Sequence, residues 1–86
     1  MSDTMSKLIE KLAAIEHDRW GRWQSHVHKN SIPNEDGSLT IPKYFVDRWT
    51  RQINTPYDEL SESEKESDRK EARISLNIVS KFIDHA

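Results

Sequence analysis

The chain has 86 residues, 34% of them hydrophobic and 33% charged, with a formal net charge of -2 and no cysteine. That length makes a single domain, 1–86, with a thin core, since a chain of this size buries only about 60 to 65% of the surface its unfolded form exposes. The acidic balance argues against a nucleic-acid binder, whose affinity for phosphate comes from clustered Lys and Arg. The missing cysteines exclude a disulfide framework, a thiolate nucleophile and a Cys-rich zinc site.

The apolar fraction lies below the roughly 45 to 50% of ordinary domains, which favours self-association, because a homo-oligomer, a dimer for instance, adds buried surface the monomer lacks. The N-terminus has no apolar core of signal-peptide length, and no run approaches the roughly 20 apolar residues of a membrane span. A soluble, cytoplasmic protein without membrane partners is expected.

Residues 1–5 are expected to be disordered, with Asp3, Thr4 or Ser6 available as N-cap before the apolar period opens at Leu8. The first helix then runs to about Lys29. Its stripe is Leu8, Leu12, Ile15, Trp23 and Val27, while His17 and Trp20 lie three apart on another face. Gly21 is the weak point of this helix, and it marks either a close backbone approach or space cleared beside Trp20 for a ligand.

Asn30 to Ile41 carries the strongest loop signal, and Asp36-Gly37 suits the turn of a small hairpin between Ser31-Ile32 and Leu39 to Ile41. Pro42 suits the first turn of a second helix, to Asn54, with Phe45, Val46, Trp49 and Ile53 on its apolar face. Thr55-Pro56-Tyr57 ends it. In the third helix Ser61 and Glu64 form a capping box, and the apolar stripe is Ala72, Leu76, Val79 and Ile83, joined by Ile74, Ile78 and Phe82. The predicted fold is all-α, a compact three-helix unit with one long loop or small β-hairpin between helices 1 and 2.

Chemistry is sparse in this pattern. His26 and His28 are two apart on a helix and point in different directions, so a metal site is not expected. No glycine-flanked nucleophile or phosphate-cradling loop occurs, so neither catalysis nor a cofactor is expected. What remains is a binding constellation, in which Trp and Tyr stack on flat rings and Lys and Arg meet phosphate. Lys65, Arg69 and Arg73 recur every four residues as a basic edge, with Glu64 and Asp68 as i, i+4 partners, and an ordinary salt-bridged surface would carry the same pattern.

His17 and Trp20 in the first helix, then Pro56, Tyr57, Leu60, Glu64, Lys65, Asp68 and Arg69 in order, give a pattern that resembles the RyR domain, the repeat of ryanodine receptors also found in bacterial and phage proteins. The resemblance covers roughly two-thirds of the chain. It departs in the middle, where the family has a Gly-Trp segment and this chain has the 30–41 loop and the second helix; Trp49 is the candidate to replace that aromatic. It implies a non-enzymatic module for a nucleotide-derived messenger, of phage or bacterial origin, with sequestration of a host immune signal in the host cytoplasm as one use. Trp20, Trp23 or Tyr57 would stack on the base, Lys65, Arg69 or Arg19 would meet phosphate, and His17 would bond the ligand or fix Tyr57. A symmetric dimer would rebuild the family's paired repeats. The alternative is a protein-binding adaptor that uses its Trp and Arg surface as a hot-spot patch for a host or phage partner.

Overall fold

The computed structural model describes residues 3–84. Helix α1 spans Asp3–Lys29, strands β1 (Ile32–Pro33) and β2 (Leu39–Thr40) form an antiparallel hairpin, α2 spans Lys43–Ile53, a 3-10 turn covers Tyr57–Glu59, and α3 spans Glu62–Asp84. The all-α expectation holds, with three helices and the hairpin placed between the first two. None of the described helices is long and apolar enough to cross a membrane.

Helix α1 starts five residues ahead of Leu8, so Asp3–Met5 form its first turn where disorder was expected; Met1 and Ser2 lie outside the described residues. Asp3 in that turn faces the positive end of the helix dipole, and His26, His28 and Lys29 occupy the negative end. The last carbonyls are satisfied locally. The His26 carbonyl accepts from the backbone and side-chain N–H of Asn30, at 3.1 and 2.8 Å, and the Val27 carbonyl accepts from the Ser31 hydroxyl at 2.7 Å.

The hairpin is held by side chains more than by its ladder, which pairs only Ile32 with Thr40 and Pro33 with Leu39. Asp36 accepts from the Ser38 N–H at 2.9 Å and from its hydroxyl at 2.6 Å, while the Asn34 amide spans to Ser38 and Thr40, each at 3.0 Å. Gly37 takes φ +88°, open to glycine without strain, and all four strand residues are exposed.

Pro42 precedes α2 as its N-cap, outside the first turn where it was expected, because its φ of -57° and ψ of 145° are extended. Its carbonyl still accepts from the N–H groups of Phe45 and Val46, at 3.0 and 3.1 Å. At the start of α3 the capping box is complete. Ser61 Oγ accepts from the Glu64 N–H at 3.3 Å, and Glu64 Oε1 accepts from the Ser61 N–H at 3.1 Å and from its hydroxyl at 2.8 Å. The other oxygen of Glu64 accepts from Arg51 at 2.8 Å, tying α2 to α3.

Helices α1 and α3 run antiparallel, with Arg22 on Glu71 at 2.5 Å and Arg19 near Ser75 at 3.5 Å. The face of α3 turned to α1 is Glu71, Ser75, Ile78 and Phe82, all half-buried. Leu76 and Ile83, expected in the core stripe, are instead 64% and 65% exposed, and Ala72 and Ile74 are exposed too. Two facing helices cover a narrower arc than an apolar pattern spans, so one flank stays outside. Ile15 is the one buried apolar residue among those described, at 8% exposure.

These local arrangements yield three predictions. Ser61→Ala should destabilise the protein by about 1 kcal/mol in urea titrations, the usual effect of losing an N-cap hydroxyl. The Ser61 side-chain and backbone bonds, then Arg51, hold Glu64 below the ordinary carboxyl value of 4.5. Its contribution is therefore complete above about pH 4.5 and is lost as the pH falls through its lowered value. Thermal midpoints should drop on that acid limb, and Glu64→Gln should flatten part of the drop, the rest coming from Glu66, Glu71 and Asp36, which are lowered too. For Gly21, a Cβ would meet nothing within 4 Å, so no close approach requires glycine. Gly21→Ala should stabilise by roughly 0.5 to 1 kcal/mol in the same titrations.

Candidate functional site

A groove of about 670 Å³ opens where α1, α2 and the start of α3 meet. Its apolar wall is aromatic: Trp23 and Trp49 meet edge to face with centroids 5.4 Å apart, His26 lies 5.4 Å from Trp23 and 6.2 Å from Trp49, and Phe45 stacks behind Trp49 at 5.0 Å. Positions 19, 22, 23 and 26 come from successive turns of α1, so one helix delivers two guanidiniums, an indole and an imidazole to the same wall. Leu60, Glu64, Asp68 and Glu71 line the opposite side from α3 and the turn before it.

The electrostatics of the groove turn on Glu71. This carboxylate accepts from Arg22 at 2.5 Å, lies 3.5 Å from Arg19 Nε, and is held below the ordinary carboxyl value first by Arg22 and then by Arg19. Two guanidiniums therefore share one carboxylate. Arg19 also reaches Glu16 at 3.3 Å with another nitrogen, but its Nε is shielded from solvent and makes no hydrogen bond. Asp68 and Glu64 balance the wall, and Arg51 already occupies Glu64.

The eight residues singled out in the sequence fall into three groups. Arg19, Trp23 and Trp49 line the groove together. Tyr57, Lys65 and Arg69 form a second group on the flank of α3: Lys65 Nζ sits 5.8 Å over the Tyr57 ring, and the charged form of Arg69 is favoured first by Glu62, with Tyr57 also contributing. His17 and Trp20 form the third. They stack at 6.2 Å with planes 16° from parallel, outside the lining of the groove, and Trp20 is 60% exposed. The open space at Gly21 is a shallow depression of about 550 Å³ bordered by His17 and Arg22, and Trp20 is not part of its lining.

Ion pairing on α3 also departs from the i, i+4 expectation. Arg69 pairs with Glu62 at 3.2 Å and Glu66 at 3.6 Å, and Arg73 pairs with Glu66 at 2.6 Å, while Glu64 is taken by Ser61 and Arg51. Glu64 turns inward to cap its own helix, which leaves the cations to acids one and two turns back.

Sequence reasoning missed His26, Arg22 and Glu71. The place of His26 beside both indoles follows from its i+3 spacing from Trp23, a signal present in the sequence, and from the position of α2, which is not. Among the described residues no group of three or more His, Cys, Asp and Glu is placed to hold a metal ion.

A scan against protein-family models, a search of curated proteins and a search of solved structures each returned no match to this chain.

Proposed function

We propose that the protein is a non-enzymatic binding module whose site is the groove walled by Trp23, His26 and Trp49, and that its ligand is a nucleotide-derived messenger. The observation that carries this reading is the Arg19, Arg22 and Glu71 triad beside the two indoles, where two guanidiniums share one carboxylate and the solvent-shielded Arg19 Nε lies 3.5 Å from it without a hydrogen bond. A phosphate that displaced Glu71 would meet both guanidiniums, the bidentate geometry for which arginine is suited. The indole edges offer apolar surface to a flat base, and the volume lies within the roughly 300 to 1,000 Å³ of small-molecule sites.

Lys65, Arg69 and Tyr57 supply further cationic and aromatic surface on the α3 flank, for a ligand with more than one phosphate. The resemblance to the RyR domain points the same way, toward a phage or bacterial protein that sequesters a nucleotide signal of host immunity in the cytoplasm. Homodimer formation belongs to the same proposal.

A protein-binding adaptor is the second reading, favoured by the exposure of Ile53 (82%) at the groove mouth and of Tyr44 (66%) on α2. Tyrosine is among the residues enriched at the energetic centres of protein interfaces.

The test is a thermal-shift screen against mononucleotides, cyclic oligonucleotides and ADP-ribose derivatives, since a ligand at 100 times its dissociation constant adds about 2.7 kcal/mol. A shift of several degrees with one class is expected, and Trp49→Ala should abolish it in a protein that circular dichroism shows to be helical. Arg19→Lys, which keeps the charge and removes Nε, should weaken binding tenfold or more, because a hydrogen bond to a charged acceptor contributes about 1.5 to 3 kcal/mol. No shift with any class would sink the nucleotide reading and leave the adaptor.

A further inference from the structure

The described chain exposes more surface than a folded monomer of its mass. Its accessible area is 6963 Å², against about 5,300 Å² for a globular monomer of 10.1 kDa, an excess of about 1,700 Å². Its Cα radius of gyration is 17.2 Å, where a globular chain of this length has about 12 Å.

Four of the exposed large hydrophobic residues, Ile9, Trp20, Leu76 and Ile83, fall on one face. Taking the contact line of α1 through Ile15, Arg19 and Arg22, the residues Ile9, Leu12 and Trp20 are rotated to one side of it. Taking the line of α3 through Glu71, Ser75 and Ile78, Leu76, Val79 and Ile83 are rotated in the same sense. In an antiparallel pair, equal rotation brings both sets to the same face. With Arg19 level with Ser75 and Arg22 with Glu71, the six residues interleave into a patch about 16 Å long, from Ile9 to Trp20. At one end α2 covers this face through the contact of Trp49 with Trp23. Trp20, Leu76 and Ile83 remain at least 60% exposed.

We infer that this two-helix face docks a second copy of the chain, so that α1 and α3 of two protomers close a four-helix bundle. The area argues for it: obligate homodimers bury about 1,000 to 2,500 Å² per protomer, and the surplus falls in that range. Core supply argues for a second copy over a foreign partner. With Ile15 the one buried apolar residue described, the missing core has to be present whenever the chain folds, and only another copy always is. A layer two helices wide is half of a four-helix bundle. Glu16, the acid within the patch, already has Arg19 at 3.3 Å, so docking leaves it paired. This assigns a surface to the homodimer proposed above and is independent of what the groove binds.

Light scattering of the wild-type chain at tens to hundreds of micromolar should give about twice the 10.1 kDa protomer mass. Its thermal midpoint should rise with protein concentration, as it does where folding and association are coupled. A monomer whose midpoint is independent of concentration overturns the proposal. Leu76→Glu should yield monomers or unfolded chains, and a stable dimer of this variant overturns the choice of face. Because unfolding of the variant would mimic loss of the dimer, hydroxyl-radical footprinting of the wild type supplies the second reading. Trp20 and Leu76 should be protected in concentrated samples and labelled on dilution, with Tyr44 labelled throughout; Trp20 and Leu76 labelled equally at both concentrations rules the face out. Arg19→Lys should remain dimeric, which separates a failure of this proposal from a failure of the groove as a ligand site.

Discussion

Glu64 is the group on which the arrangement of the chain turns. One of its oxygens closes the capping box with Ser61, and the other receives Arg51 from α2. Its own side chain is buried while Arg51 is about half exposed, so the capping bonds are the better shielded from water. Through it the start of α3 is fixed locally and the position of α2 is fixed at long range. Because α2 carries Trp49, the same carboxylate decides where the aromatic wall of the groove stands.

Between α1 and α3 the specific contacts are also polar, beside the half-buried Ile78 and Phe82. Helices α1 and α3 are joined by Arg19 and Arg22 on Glu71 and by Arg19 at Ser75, with a single buried isoleucine between them. Ion pairs this exposed contribute about 0 to 1 kcal/mol each, too little to replace an apolar core. An excess of apolar surface on the outside is the counterpart of that deficit, and it explains why the same helices carry both the groove and a face open to a second copy. The groove uses the polar contact line of the pair at its α2 end, whereas the open face uses the apolar flank farther along.

Much of the local structure was legible from residue order. The Ser61 and Glu64 spacing gave the capping box, Asp36-Gly37 gave the hairpin turn, and Thr55-Pro56 gave the end of α2, because each rests on chemistry within four residues. The candidate site was legible only in part. Trp23, Trp49 and Arg19 converge as a binding constellation should, whereas His17 and Trp20 stack on the outside and Tyr57, Lys65 and Arg69 gather on a different flank. Periodicity shows which residues share a helix face, and it does not say which face meets a neighbour.

The sequence by itself determined three helices, their boundaries to within a few residues, the hairpin between the first two and the polar cap of the third. Those follow from propensity, turn chemistry and short-range hydrogen bonds, all of which act within one or two turns of chain. Only the tertiary structure decided that Leu76 and Ile83 face outward, that His26 packs beside both indoles, and that Arg19 and Arg22 share Glu71. Each of these depends on the rotation of one helix against another. With a core of one buried isoleucine, that rotation is set by a few long-range polar contacts between residues 13 to 56 positions apart, which no local pattern encodes.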